Sequence, residues 1–416
     1  MFLDLPDGAV ELTISKHWYY LMNYFAVLSD IGFVLVSFAF AELVRDVYHL
    51  AGHYWKPLQG VHGLHHQAYR RDLTISSRHI YRKAQLYNDA PEALVMMLVG
   101  AILVIALRNY ALAAGCLYSF SFFIAALARS QGWLWSTDFT HKAGDLMGIP
   151  SIWRANRTYH WRHHFDRQNA YFSAHFTLGD KVLGTALSLK GKTIAITGAS
   201  GSMGRALMSS LSSEGARVVA LTTSDLSSFA DSKTGPCLEV IQWQCGREFE
   251  LRERLNGVDI LIINHGLNVG RDRSPVAIHQ SYEVNTFSAL RLMELFFETV
   301  TQSEHRATKE VWINTSESEV FPTSNFLYEL SKRALGNLIT LRRLDAPCIV
   351  RKLVLGPFKS KLNPIGVMSP DWTARAVVAL AKRDFRNIVV TINPLTYVAF
   401  PIKEFVSSCY FRLFSR

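Results

Sequence analysis

Apolar positions are spread unevenly along the chain. Residues 19–41 form a mostly apolar run of 23, led by Trp18, Tyr19 and Tyr20, with Asp30 its one charged member. At about 1.5 Å per residue such a run reaches across about 30 Å of hydrocarbon, and aromatics at one end suit a membrane interface. Asp30 must face other helices or water, so a shallow or broken helix is one expectation. Residues 93–107 and 111–127 are two further apolar runs, parted only by Arg108, Asn109 and Tyr110, which predicts a tight helical hairpin. Two or three crossings are expected, with the remaining helices buried or interfacial. From Lys190 the pattern changes. Short β-branched stretches at 193–197, 218–221, 259–263, 311–314 and 349–355 alternate with helical ones, which predicts βαβ units around a parallel sheet. The tail, 395–416, is aromatic with basic residues and reads either as a membrane-surface helix or as a packed terminal helix.

The fold class expected is thus in two parts, an all-α membrane helical bundle and then an α/β Rossmann-type doubly wound sheet. The domains are drawn at 1–187, 188–395 and a tail at 396–416. Of the 416 residues 49% are aliphatic, aromatic or Cys and 19% charged, which excludes disorder and fibrous repeats. The net charge of +10 is shared between the halves, with 17 basic against 13 acidic residues up to Lys190 and 27 against 21 beyond it. No dense basic block stands out, so no nucleic-acid partner is expected. Cys116, Cys237, Cys245, Cys348 and Cys409 are odd in number and never spaced as CxxC, which argues against disulfides and zinc–thiolate sites. The acidic opening MFLDLPDGAVEL does not read as a cleaved signal.

Between the apolar runs lie histidines in three clusters: His49 and His53 (HxxxH), His62, His65 and His66 (HxxHH), and His160, His163 and His164 (HxxHH). On a helix, positions i, i+3 and i+4 share a face, so each cluster can aim two or three imidazoles at one point. Eight imidazoles suffice for two metal ions with about four ligands each, and neutral nitrogen suits Fe, Zn or Cu. Asp46 and Asp166 stand where a carboxylate could orient an imidazole. Arg70, Arg71, Arg78, Arg82 and Lys83 flank one histidine segment and Arg154, Arg157, Arg162 and Arg167 the other, which places both on the cytoplasmic face.

With hydrophobic hairpins between them, these clusters resemble the fatty acid hydroxylase (sterol desaturase) superfamily of membrane di-iron enzymes, over about residues 20–187. The resemblance implies two Fe ions, O2 as co-substrate, an external electron donor, a lipid bilayer and a lipid-like or sterol-like substrate. It also implies an extra ligand at His141, whereas His175 is read as structural.

In the second half Thr197, Gly198, Ala199, Ser200, Gly201, Ser202, Met203 and Gly204 follow a strand and open a helix. Glycines there let the backbone turn and approach a pyrophosphate at the helix N-terminus. Tyr328 and Lys332 lie four apart on one helix face, where an ammonium lowers a phenol's pKa for proton exchange with an alcohol or carbonyl. Together they resemble the short-chain dehydrogenase/reductase family over about residues 190–390. The match implies Gly198, Ser200, Gly201, Met203, Gly204, Thr222, Asn264, Gly266, Tyr328 and Lys332 as cofactor-binding positions. It also implies Ser316, Tyr328, Lys332 and Asn285 as the catalytic set, with Asn285 anchoring a relay water. Ser318 competes with Ser316 for the serine role; Ser316 is preferred because it directly follows the strand. The GxxGxxG spacing is that of extended members, and His265 replaces the usual Ala. Thr222 stands where an acid would favour NAD, so NADP(H) is expected ahead of NAD(H).

The whole resembles bifunctional sterol desaturase/short-chain dehydrogenases. It is expected to combine O2-dependent hydroxylation or desaturation of a lipid with NAD(P)-dependent alcohol/carbonyl interconversion. An aldehyde-converting di-iron enzyme is one alternative. A membrane-anchored reductase whose metal site is a non-catalytic anchor is the other.

Overall fold

The computed structural model describes residues 7–225 and 237–415. Residues 1–6, and the side chains of Trp18, Tyr19 and Tyr20, lie outside the described residues. The chain packs as two units: Met1–Gly144 with Ser173–Phe176, and Asp145–Phe172 with Thr177–Arg416.

The first unit is helical. α1 (Asp7–Tyr54) is one continuous helix with Asp30 exposed, so the run is not broken. α2 (Lys56–Gln67) follows, then α3 (Arg78–Ala84), which passes through a π-helical turn (Gln85–Asp89) into α4 (Ala90–Leu107); α5 (Ala113–Gln131) returns. The expected hairpin is there, with a local cause. Arg108 takes the left-handed conformation and ends α4, and the Asn109 side chain accepts from the Ala111 N–H at 2.9 Å to start the next turn. α1 and α5 touch backbone to backbone: a Cβ at Gly115 would meet the Ser37 carbonyl oxygen at 2.7 Å. Three stretches are long and apolar enough to cross a membrane, Met22–Tyr54, Arg78–Leu107 and Tyr110–Gln131, and only 17–22% of their apolar windows is buried by protein. Leu98, Ile102, Ile105, Leu117 and Ile124 point outward, as lipid-facing positions do.

The second unit is built on a seven-stranded, all-parallel sheet in the order β3-β2-β1-β4-β5-β6-β7. The strands are β1 (Thr193–Thr197), β2 (Arg217–Thr222), β3 (Cys237–Gln242), β4 (Ile260–Ile263), β5 (Glu310–Asn314), β6 (Ile349–Leu355) and β7 (Asn387–Val390). Two short helices precede the sheet, α6 (Arg157–Trp161) and α7 (Leu178–Leu183). Around it lie α8 (Ser202–Ser213), α9 (Arg252–Asn256), α10 (Pro275–Tyr282), α11 (Ser288–Phe297), α12 (His305–Thr308), α13 (Phe326–Arg342), α14 (Pro370–Lys382) and α15 (Thr396–Phe414). Side chains alternate across the sheet. Ile194, Ile196, Ile260 and Ile262 pack with α8 and α14 on one face, and Ala195, Leu261, Ile263 and Val311 with α11 and α13 on the other. The order turns at β1, which pairs with both β2 and β4, so a crevice forms beyond the carboxyl ends of β1 and β4. β3 and β7, which the sequence pattern did not reveal, are the two edge strands.

Residues 145–172 belong to this unit through specific bonds. The Arg162 guanidinium donates to the Ala307 carbonyl and to Glu310 of β5, Lys192 pairs with Asp166 at 2.7 Å, and Arg386 donates to the Pro150 carbonyl at 2.9 Å.

Candidate active site

In the first unit, α1 ends in His49 and His53 and α2 carries His62, His65 and His66. His49, His53, His62 and His66 bring one ring nitrogen each to within 4.8 Å of one another. The His62 Nε2 lies 2.9 Å from His53 Nε2 and 3.2 Å from His66 Nε2. Nitrogens bound to one transition metal at about 2.0–2.1 Å are about 2.9 Å apart at a right angle and about 3.4 Å apart in a tetrahedron. The two His62 separations fall between these limits, so His53, His62 and His66 fit a shared metal ion, with His49 within 4.8 Å of them. The Asn88 side-chain oxygen accepts from His62 Nδ1 at 3.1 Å, which leaves Nε2 as the lone-pair atom. Burial, then the neighbouring imidazoles His65 and His53, push His62 down to about 3, so the ring is neutral and ready to ligate. His65 and His141 form a second pair, oriented by Asp89 at 3.5 Å and Asp138 at 2.8 Å respectively. In the second unit His160, His163 and His164 are buried. The Nε2 atoms of His160 and His164 are 3.1 Å apart, and His163 donates through Nδ1 to the Ala170 carbonyl at 2.9 Å.

The carboxylates expected to orient imidazoles do other work. Asp46 accepts the N–H groups of Ala174, His175 and Phe176 at 2.7, 3.0 and 3.2 Å, capping that loop. Asp166 binds Lys192 and the Tyr171 hydroxyl. The orienting groups are instead Asn88, Asp89 and Asp138, which the sequence reading missed. Asp138 carried a signal, since it stands three residues before His141. His175 sits beside Glu42 at 3.4 Å.

At the crevice of the sheet, Gly198 has φ +61°, and a Cβ there would lie 2.9 Å from His265 Cα. A Cβ at Gly204 would lie 2.3 Å from the Gly198 carbonyl oxygen. These two glycines are required, the first by its conformation and the second by close approach. Gly201 caps α8 with its backbone alone, so the turn presents N–H groups and no side chain, which fits a pyrophosphate. Met203 turns its side chain into the core. Thr222 and Ser200 hydroxyls meet at 3.3 Å, with Ser224 3.2 Å from Ser200; no carboxylate is in this group. Gly204→Ala is expected to crowd the Gly198 carbonyl and to cost about 1–3 kcal/mol of stability, read by denaturation of the full chain.

A cavity of about 610 Å³ opens beside the crevice, and both Ser316 and Tyr328 line it. Ser318 also lines the cavity, and its N–H donates to Ser316 Oγ at 3.2 Å; Ser316 is the serine close enough to Tyr328 to act on its phenol. The expected tuning by Lys332 differs from the structure. Burial pushes the Tyr328 phenol up and the Ser316 hydrogen bond opposes it, whereas Lys332 Nζ lies 6.0 Å from the ring centroid. That ammonium donates to the Asn314 carbonyl at 3.0 Å and is itself pushed down to about 8 by burial, against the pull of Glu319. Asn285 clamps the loop after β4, accepting from Leu267 N–H at 2.7 Å and donating to the Leu267 carbonyl at 2.8 Å and to Ser331 at 3.0 Å. Gly266 leaves the room for this, since a Cβ there would come 3.2 Å from Asn285 Oδ1. Asn264 accepts from the Asn314 side chain at 2.9 Å. His265 bonds Thr197 at 2.9 Å, and burial, then Lys332, push it down to about 3.

A relative from Synechocystis, monoglucosyldiacylglycerol epimerase, is 52% identical over 406 residues, covering 94% of this chain and 99% of that protein. The chain belongs to the family of that epimerase. A sequence model of the fatty acid hydroxylase family matches residues 34–185, a span that contains every histidine named above as a ligand candidate. With three stretches apolar enough to cross a membrane, this makes the chain a membrane-associated protein. Among solved structures, an alcohol dehydrogenase from Thermococcus sibiricus complexed with 5-hydroxy-NADP is similar at 19% identity and TM-score 0.42, covering 48% of this chain and 96% of that one. A short-chain dehydrogenase from Burkholderia cenocepacia in complex with NADP is similar at 19% identity and TM-score 0.45, covering 55% and 98%. A stretch that matches the fatty acid hydroxylase model and a seven-stranded parallel sheet of Rossmann type thus stand in one chain.

Proposed function

We propose that this chain is a membrane glycolipid epimerase that inverts one ring alcohol of a glucosyl diacylglycerol by way of the ketone. The observation that carries the reading is the 52% identity, along nearly the whole of both chains, to an enzyme of that name. Inverting a carbinol carbon requires its hydrogen to leave from one face and return to the other, and a ketone is the simplest species that has lost the stereochemistry.

The cavity of the second unit suits the ketone-to-alcohol half. NAD(P)H, when held by the glycine turn, supplies hydride there; Thr222 in place of an acid favours NADP(H). Tyr328 donates its proton to the substrate oxygen as negative charge develops, and the Ser316 hydroxyl holds the same oxygen. Lys332, fixed on the Asn314 carbonyl, keeps a positive charge beneath them. Asn268, Thr323, Ser324 and Asn393 line the rest and offer hydrogen bonds to sugar hydroxyls. Two iron ions held by the clustered histidines and His141 would supply O2-dependent removal of hydrogen from carbon, the oxidation that makes the ketone, with electrons from an external donor. The arginines and lysines around the histidine segments favour the cytoplasmic face for both sites.

The test uses the full chain in nanodiscs containing monoglucosyldiacylglycerol, with NADPH, O2 and a reductant. The headgroup should convert to an epimer with the lipid mass unchanged, and conversion should stop without O2. Conversion under anoxia would overturn the role given to the histidines. The match over residues 34–185 favours a second reading, in which hydroxylation or desaturation is the end point. It requires a lasting gain of oxygen or loss of hydrogen.

A further inference from the structure

α15 buries one face and exposes another. Thr396, Phe400 and Glu404 point inward, whereas Val398, Ile402, Phe405, Val406 and Leu413 form an outward apolar stripe at helical spacing. Phe405 is 70% exposed and Leu413 74%. The helix cannot roll to hide this stripe, because its inner face is bonded to the protein. Glu404 meets Lys352 at 2.7 Å and Thr340 at 3.0 Å, Lys403 meets Glu319 at 2.7 Å, and the Thr396 hydroxyl donates to Glu317.

The stripe is continuous along the chain with the mouth of the Ser316–Tyr328 cavity. Ile392 and Asn393 line that cavity and directly precede α15; Leu362, Ile365 and Val367 line it from the facing loop, with Ile365 88% exposed. The exposed charges on α15 and the facing loop are Lys359, Lys361 and Arg412; the acid of α15, Glu404, is buried and paired, and Glu317 in the cavity wall is bonded to Thr391 and Thr396. Tyr397 and Tyr410 flank the stripe. Apolar side chains with tyrosine and basic residues around them are the make-up of a helix lying in a bilayer interface. The same polypeptide carries its own candidate membrane spans, so a bilayer is part of its surroundings.

We propose that the outer face of α15 and the apolar rim of the cavity rest in the interfacial layer of an anionic bilayer, so that the cavity takes a sugar headgroup while the acyl chains stay in the membrane. The substrate clause rests on the epimerase reading; the membrane contact does not.

The contact is tested with a photoreactive phenylalanine analogue in place of Phe405 or of Leu413, in the full chain in nanodiscs containing phosphatidylglycerol, with Phe249 as the control position. Lipid adducts at 405 and 413 and few at 249 are expected. Cross-linked dimers, adducts to another protein, or no lipid adduct would overturn the proposal. The second arm is the double variant Phe405→Asp with Leu413→Asp. Its KM for bilayer-held glucosyl diacylglycerol should rise at least about tenfold, with turnover of a water-soluble short-chain glucoside kept within about twofold. Equal loss on both substrates would overturn the presentation role. If the unsubstituted protein turns over neither glycolipid, the epimerase reading fails and the cross-linking result still decides the contact.

Discussion

Tyr328→Phe is expected to halt the reaction at the ketone. The substitution keeps the buried ring and removes only the hydroxyl of a residue that lines the cavity beside Ser316. Loss of a positioned proton donor costs about 10²–10⁴-fold in rate. The oxidising site is untouched, so glycolipid lighter by two hydrogens should accumulate. Borodeuteride reduction should then trap it, with deuterium appearing in both epimers by mass spectrometry. Epimer formation at the ordinary rate would remove Tyr328 from the mechanism. A complete block with no keto lipid would place the oxidation at the nicotinamide site instead.

His62→Gln and His62→Ala are expected to give the opposite phenotype, in which lipid remains unoxidised. His62 stands at the middle of its group, with its Nε2 at 2.9 and 3.2 Å from those of His53 and His66. Losing an orienting partner of a metal ligand already costs about 10–100-fold in affinity or activity, so losing this ligand should cost about 100-fold or more. Iron content should fall with activity, while NADPH binding, which depends on the glycine turn, should be unchanged. Gly52 packs so closely that a Cβ on it would lie 2.7 Å from the His62 ring, so the Ala variant leaves a hole and the Gln variant serves as the fold control. Full activity in both variants would revive the reading of the histidine region as a mere anchor.

Much of this organisation was legible before any coordinates. The apolar runs and the punctuation at Arg108 and Asn109 announced the hairpin, because helix length and capping are local properties. Five strands could be named from β-branched runs. β3 and β7 could not, since edge strands are held by pairing with a neighbour more than by their own pattern. The glycine turn was readable for the same local reason, its spacing being set by one turn and one helix start. Roles that pass through space were not. Asp46 and Asp166 stood at suggestive positions near histidines, yet their carboxylates bind a loop backbone and a lysine–tyrosine pair. Asn88, Asp89 and Asp138 took the orienting role. Lys332 stood at the right spacing from Tyr328, but its ammonium is directed to the Asn314 carbonyl.

By itself the sequence determined the two-part architecture, the histidine clusters and the glycine turn, because periodicity, residue type and short spacing act within a few residues. Only the tertiary structure decided which polar groups orient the imidazoles, and that Arg162, lying between His160 and His163, reaches Ala307 and Glu310. It alone decided that α15 buries Glu404 against Lys352 and leaves an apolar stripe outside. The contacts of Arg162 and Glu404 depend on buried charges finding partners about 150 and about fifty positions away, and which polar group meets an imidazole is likewise settled by packing, with no local pattern encoding which partner wins.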